Sequence, residues 1–157
     1  MDKRNEFMQE AINLSKKGMM NNDGGPFGCV VVKDDVIVGR GCNMVTSTND
    51  PTAHAEVTAI RDACKNLGTY QLEGCEIYTS CEPCPMCMGA IYWARPARVF
   101  YGNSRQDAAD IGFDDSLIYK ELTLPLKDRK ISIYSLGRDE AIKVFEEWTA
   151  KEDRKDY

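Results

Sequence analysis

The chain has 157 residues, 43% hydrophobic and 29% charged, with 20 Lys and Arg against 25 Asp and Glu for a formal net charge of −5. A single domain of this length buries roughly 70% of its unfolded surface, enough for one core without disulfides or a repeat array. The acidic balance disfavours a nucleic-acid partner, whose phosphates call for clustered Lys and Arg. The longest charge-free apolar run, Cys84 to Ala94, is well short of the ~20 residues needed to span a bilayer.

The opening Met1-Asp2-Lys3-Arg4-Asn5-Glu6 is charged and lacks the apolar stretch of an export signal, so a cytoplasmic protein is expected. Seven cysteines is an odd number. In a reducing compartment they are explained by metal binding or simple burial better than by disulfides.

Along the chain, Phe7, Met8, Ala11, Ile12 and Met19 recur near the helical period and predict an amphipathic helix over residues 3–20. After Gly24-Gly25-Pro26, the runs Cys29 to Val32 and Val36 to Arg40 read as a hairpin turning at Lys33-Asp34-Asp35. A second helix is expected to start near Asp50-Pro51-Thr52 and to run through Val57, Ile60, Cys64 and Leu67 to a stop at Gly68. Glu76 to Ser80 is the next strand, Pro83 to Ala94 the next helix and Arg98 to Tyr101 the fourth strand. Ile131 to Leu136 supplies a fifth strand, and Ala141, Ile142, Phe145 and Trp148 a last amphipathic helix before a charged tail. No repeat, linker or low-complexity block interrupts the pattern. One hairpin followed by alternating strands and helices predicts a mixed five-stranded sheet covered on both faces, a three-layer α/β/α sandwich formed by residues 1–157 as one domain.

The sole histidine stands in Pro51-Thr52-Ala53-His54-Ala55-Glu56, and a cysteine group in Ser80-Cys81-Glu82-Pro83-Cys84-Pro85-Met86-Cys87. Cys84 and Cys87 are three apart at a predicted helix start, where they share a face and the positive helix end favours thiolates. With His54 they make a three-ligand zinc site that leaves the fourth position to water, as a catalytic zinc requires and a structural one does not. Water activated in this way needs a group to take its proton, and Glu56 fits that role. His54 and Glu56, two apart, point in nearly opposite directions within a helix, so they can serve one site only at its tip. Cys81 completes a Cys-x-x-Cys-x-x-Cys run and is an alternative fourth ligand that would close the site. Singly, the histidine reads as a cap and the cysteines as buried small hydrophobes; the combination is far more specific.

A histidine, a glutamate two residues on and a later Pro-Cys-x-x-Cys is the signature of zinc-dependent nucleobase deaminases. The chain resembles the cytidine deaminase-like superfamily, and within it the short guanine deaminases. The likeness is carried by Gly24-Gly25-Pro26-Phe27-Gly28, Asn49 to Arg61, Tyr78 to Arg95, Gly112-Phe113-Asp114-Asp115-Ser116 and a C-terminal Tyr157, with residues 121–140 matching less clearly. The zinc motif is common to the superfamily, whereas the Gly-Phe-Asp-Asp segment and the terminal tyrosine point to the guanine branch.

This resemblance implies zinc on His54, Cys84 and Cys87, one ion per subunit, and Glu56 as proton shuttle. It implies a purine bound by Asn43 and by one of Asp114 and Asp115, with Asp115 preferred, and a pocket shaped by Phe27 and Trp93. An amide offers both a donor and an acceptor to a purine edge, and an ionised carboxylate accepts from a ring NH. The implied reaction is hydrolysis of guanine to xanthine and ammonia. Guanosine deaminase and transfer-RNA adenosine deaminase are the alternatives among enzymes, and a zinc-stabilised binding module the alternative outside them. The resemblance further implies a homodimer in which residues 139–157 are exchanged and Tyr157 closes a purine pocket, its own or its neighbour's.

Overall fold

The first amphipathic pattern forms a helix where its spacing predicts one. This helix, α1, spans Lys3–Met20; the Asp2 side chain caps it by accepting from the Arg4 amide, and Phe7 and Ala11 are buried. The computed structural model describes residues 2–157. They fall into two compact units, the first ending at Asp115 and the second spanning Ser116–Tyr157.

In the first unit, β1 (Gly28–Lys33), β2 (Val36–Cys42), α2 (Val45–Thr48), α3 (Ala55–Leu67), β3 (Glu76–Cys81), α4 (Pro85–Ala94), β4 (Arg98–Asn103) and α5 (Arg105–Asp110) follow α1 in chain order. The strands form one sheet in the order β2-β1-β3-β4. β1 runs antiparallel to both β2 and β3, and β3 runs parallel to β4, so the sheet is mixed as expected. The hairpin turns where predicted, with Asp34 and Asp35 both at positive φ, as a tight two-residue turn between twisted strands requires.

Side chains alternate across the sheet with the strand period of two. Val30, Val32 and Tyr78 pack with Phe7 of α1 on one face, and Tyr78 stacks on Phe100 at 4.8 Å between ring centroids. Cys29, Val31 and Ile77 pack on the other face with Ala55, Ala59 and Ala63 of α3 and with Ile91 and Ala94 of α4. The result is the expected α/β/α sandwich. α3 stops where the sequence says, with Gly68 in the left-handed conformation at φ 65°.

The sheet has four strands rather than five. Residues 131–136 are irregular, and Tyr134 and Leu136 are 85% and 96% exposed. Their β-forming composition is real, but a strand exists only in a ladder, and the second unit holds no other strand for them to pair with. That unit consists of α6 (Ser116–Leu122), a 3-10 turn at Leu126–Asp128 and α7 (Arg138–Ala150), the predicted last helix. The short helices α2, α5 and α6 escape the periodicity reading because caps, not a long apolar stripe, define such pieces. In α5, for example, Ser104 and Asp107 form a reciprocal capping box. Among the described residues no helix is long and apolar enough to cross a membrane, and all seven cysteines are free thiols.

Candidate metal and catalytic site

Both site helices start later than their sequences suggest, and the delay makes the site. Asp50 accepts from the Thr52 amide at 2.8 Å and from the Thr52 hydroxyl at 2.7 Å. This closes a separate turn, so α3 begins only at Ala55, with His54 as its extended N-cap. Cys84 precedes Pro85, and a residue before proline is pushed out of the helical region. α4 therefore begins at Pro85 rather than Pro83, with Cys84 as its N-cap. Glu56 and Cys87 follow in the first turns of the two helices, so two positive helix ends converge on one cluster.

His54 Nδ1 lies 3.5 Å from the Sγ of Cys84 and 3.5 Å from the Sγ of Cys87. The three ligand atoms lie within 4.8 Å of one another. Tetrahedral zinc with its usual bond lengths to sulfur and imidazole nitrogen holds those atoms about 3.6 Å apart, so this donor set fits the ion. The electrostatics agree. The hydrogen bond from Cys87, reinforced by His54 and opposed by burial, draws the Cys84 thiol down to about 4. The same shared proton, together with burial and the Glu56 carboxylate, pushes Cys87 upward. Its hydrogen bond with Cys84 raises His54.

Glu56 is buried beside the triad, with Oε2 3.3 Å from Cys87 Sγ and Oε1 accepting from the Thr79 hydroxyl at 3.0 Å. Burial raises its pKa above the usual carboxylate range, against the hydrogen bonds from its own amide, Cys87 and Thr79. A group that resists carrying charge at rest is suited to taking up a proton and returning it. Cys81 is not in the ligand cluster: its Sγ donates to the Ser104 carbonyl at 3.7 Å, and burial pushes its thiol up to about 11.

Asn43 is buried directly after β2. Its Oδ1 accepts from the amides of Gly25 at 3.3 Å and Val45 at 3.2 Å, which fixes the amide's orientation and leaves Nδ2 as the group to offer a ligand. Gly24 passes so close that a Cβ there would lie 2.1 Å from Asn43 Oδ1, which explains the glycine. Phe27 is half-buried and meets Phe113 edge-on at 4.9 Å, which ties the Gly-Phe-Asp-Asp segment to the loop before β1. Asp115 is half-buried where Asp114 is exposed. Burial, opposed by a hydrogen bond from its own amide and reinforced by the field of Cys84, raises the pKa of Asp115. Trp93 is 65% exposed on α4, and six helical residues set its direction about 120° away from that of Cys87. Tyr157 belongs to the second unit and is 72% exposed.

Two contacts escape the motif reading. Thr79 was detectable as a polar residue at a core-facing position of β3, in step with Ile77, whereas nothing in the sequence pairs Phe113 with Phe27. A cavity of about 480 Å³ opens at the far end of β3, near Lys3, Asp35 and Glu76. Lys3 pairs there with Asp35 at 2.9 Å, and Glu76 with Arg98 at 3.2 Å.

Comparison with known proteins gives the same picture. Residues 1–103 match the family described as the cytidine and deoxycytidylate deaminase zinc-binding region. The guanine deaminase of Bacillus subtilis (strain 168) is 54% identical over 151 residues, which cover 96% of this chain and 97% of that protein. An X-ray structure of guanine deaminase from Bacillus subtilis matches with a TM-score of 0.95 at 54% identity, covering 98% of each chain. A tRNA-specific adenosine deaminase of Agrobacterium fabrum (strain C58) is 40% identical over 102 residues, 65% of this chain and 66% of that one.

Proposed function

Because this chain belongs to the cytidine and deoxycytidylate deaminase zinc-binding family, we propose that it is a zinc-dependent aminohydrolase that converts guanine to xanthine and ammonia. The observation that carries this reading is a full-length likeness to a guanine deaminase, joined to a buried glutamate beside an intact three-ligand cluster. The match to the transfer-RNA enzyme covers less of the chain, and a net charge of −5 is ill suited to a polyanionic substrate. A purely structural zinc has no use for Glu56.

His54, Cys84 and Cys87 would hold one zinc per subunit, with the fourth position left open. A zinc ion there supplies Lewis-acid activation of water at neutral pH. Glu56 takes a proton from the water that adds at C2, delivers it to the ring nitrogen, and then carries the proton of the new hydroxyl to the departing amine. The C2–N bond breaks, ammonia leaves, and Glu56 ends as it began. The Asn43 Nδ2 donates to an acceptor on the purine, and Asp115 accepts from a ring NH, so that C2 is the carbon presented to water. Phe27, buttressed by Phe113, forms a wall of the pocket, with Trp93 and Tyr157 completing it in the assembled enzyme.

The assembly we infer is a homodimer of single-domain subunits that exchange residues 139–157, with Tyr157 closing a purine pocket. Its support is the apolar surface that Leu136, Phe145 and Trp148 expose, since an exposed patch of that kind marks an interface. We place the enzyme in cytoplasmic purine breakdown, a setting that suits seven free thiols.

Ammonia release from guanine, guanosine, adenine, cytosine and cytidine tests the assignment. Guanine should be turned over best; an equal or faster rate on guanosine would make the nucleoside the substrate, and silence on all five would favour a binding module. Removing residues 151–157 should keep zinc and lower guanine turnover. Mixing that truncation with a zinc-site variant should restore activity if the tail acts across the dimer, and a fully active truncated monomer would end the exchange reading.

A further inference from the structure

We propose that Thr79 is a positioning residue that commits Oε1 of Glu56 to a fixed hydrogen bond and leaves Oε2 as the oxygen that moves protons. This rests on the reading of Glu56 as the proton-transferring group. Thr79 is 1% exposed, and its hydroxyl donates to Glu56 Oε1 at 3.0 Å. The other oxygen, Oε2, is 3.3 Å from Cys87 Sγ and so lies on the side of the metal ligands.

A carboxylate on a glutamate stem presents two chemically equal oxygens and can exchange them by rotation. A donor held against one of them removes that equivalence. The hydroxyl is well placed to do so because the backbone that carries it is clamped from both sides, Thr79 pairing with Cys29 on β1 and with Tyr101 on β4. The strand period sends Thr79 to the same face as Ile77, the face against which α3 packs, and the N-terminal turn of α3 brings Glu56 to meet it. The aim of the proton-transferring group is thus set by an inner strand of the sheet, while its backbone is set by the helix end. Positioning of this kind acts on turnover, because it is needed where the proton moves and not where the purine is held.

The test uses the full-length, zinc-loaded protein as wild type, Thr79→Val and Thr79→Ser. Valine keeps the shape and removes the donor; serine keeps the donor. We expect zinc content and KM for guanine to stay within about twofold in both variants. The kcat of Thr79→Val should fall about 10- to 100-fold, the scale of a lost hydrogen bond to a charged group, and Thr79→Ser should recover most of it. Isotope-edited infrared spectra, with the Glu56 band identified by its loss in Glu56→Gln, should show that band shifted in Thr79→Val and returned in Thr79→Ser. Wild-type kcat in Thr79→Val, a loss confined to KM, or an unmoved Glu56 band would overturn the proposal. If valine at 79 fails to fold, Thr79→Ala makes the same comparison. If the wild type does not act on guanine, the functional assignment fails by itself, and the infrared comparison still decides the role of Thr79.

Discussion

Gly41 on β2 approaches Ala55 at the start of α3 so closely that a Cβ on the glycine would lie 2.4 Å from the Ala55 carbonyl oxygen. The same Cβ would stand 2.5 Å from the Ala59 amide nitrogen, so it would meet helix backbone rather than a side chain able to swing away. Ala55 stands between His54 and Glu56. The depth at which α3 sits on the sheet, and with it the positions of His54 and Glu56, therefore depends on the absence of a side chain at Gly41.

Gly41→Ala should destabilise the protein by about 1–3 kcal/mol, the usual cost of forcing atoms into a filled core, and should lower zinc occupancy. Gly89→Ala on α4 is the control: nothing lies within 4 Å of its added Cβ, and replacing a helical glycine by alanine stabilises by roughly 0.5–1 kcal/mol. Urea unfolding and metal analysis of both variants check this, and equal stability in the two would refute the close-packing argument.

Cys84→Ala and Cys87→Ala should each lose zinc and activity together, whereas Cys81→Ser should keep the metal because the Cys81 sulfur is turned to the Ser104 carbonyl. Glu56→Gln should keep zinc and substrate affinity while kcat drops about 10² to 10⁴-fold, the range for removal of a general acid and base. Zinc analysis and steady-state kinetics separate the two kinds of residue. Zinc loss on changing Cys81 would move it into the ligand set.

Asp115→Asn should reduce guanine turnover more than Asp114→Asn does. Asp115 is the half-buried member of the pair, and Cys84 is among the groups that raise its pKa. An amide in its place turns an acceptor-only group toward the pocket as a mixed one. The reverse order of kcat/KM values would assign the purine contact to Asp114.

Tyr78 supplies a pH signature remote from the metal. Burial first, and the Glu76 carboxylate that accepts from its hydroxyl at 2.6 Å second, push its pKa up to about 12, from about 10 in the unfolded chain. Between those two values the unfolded chain has released the proton and the folded protein has not, so the native state binds more protons and stability falls as pH rises. The contribution is intact below about pH 10 and is lost by about pH 12. Unfolding free energies across that interval should fall more steeply for wild type than for Tyr78→Phe, and parallel curves would contradict the shift.

Much of the molecule was legible as a string of residues because the relevant signals are local. The period of α1, the turn at Asp34-Asp35, the β-branched run of β1 and the stop at Gly68 each arise from interactions within a few residues, so they survive without knowledge of the fold. The cluster of His54, Cys84 and Cys87 with Glu56 beside it was legible for another reason: a metal and a proton-transferring group demand particular side chains, and these residues have few other reasons to occur at that spacing. Local signals failed where two of them competed. The helix expected to start near Asp50-Pro51-Thr52 starts later, because the Asp50 side chain closes its own turn on Thr52 and leaves the N-cap position to His54.

The sequence by itself determined the alternation of elements, the mixed sheet between helices and the chemistry-bearing residues, since periodicity and side-chain chemistry are properties of neighbours along the chain. Only the tertiary structure decided that the donor atoms of His54, Cys84 and Cys87, up to 33 residues apart, come within 4.8 Å, that Thr79, 23 residues away in sequence, engages the Glu56 carboxylate, and that residues 131–136 form no strand. Those facts depend on how strands pair and how deeply a helix settles on a sheet. Pairing needs a partner and settling needs an empty place such as Gly41, and neither condition is written in the residues that depend on it.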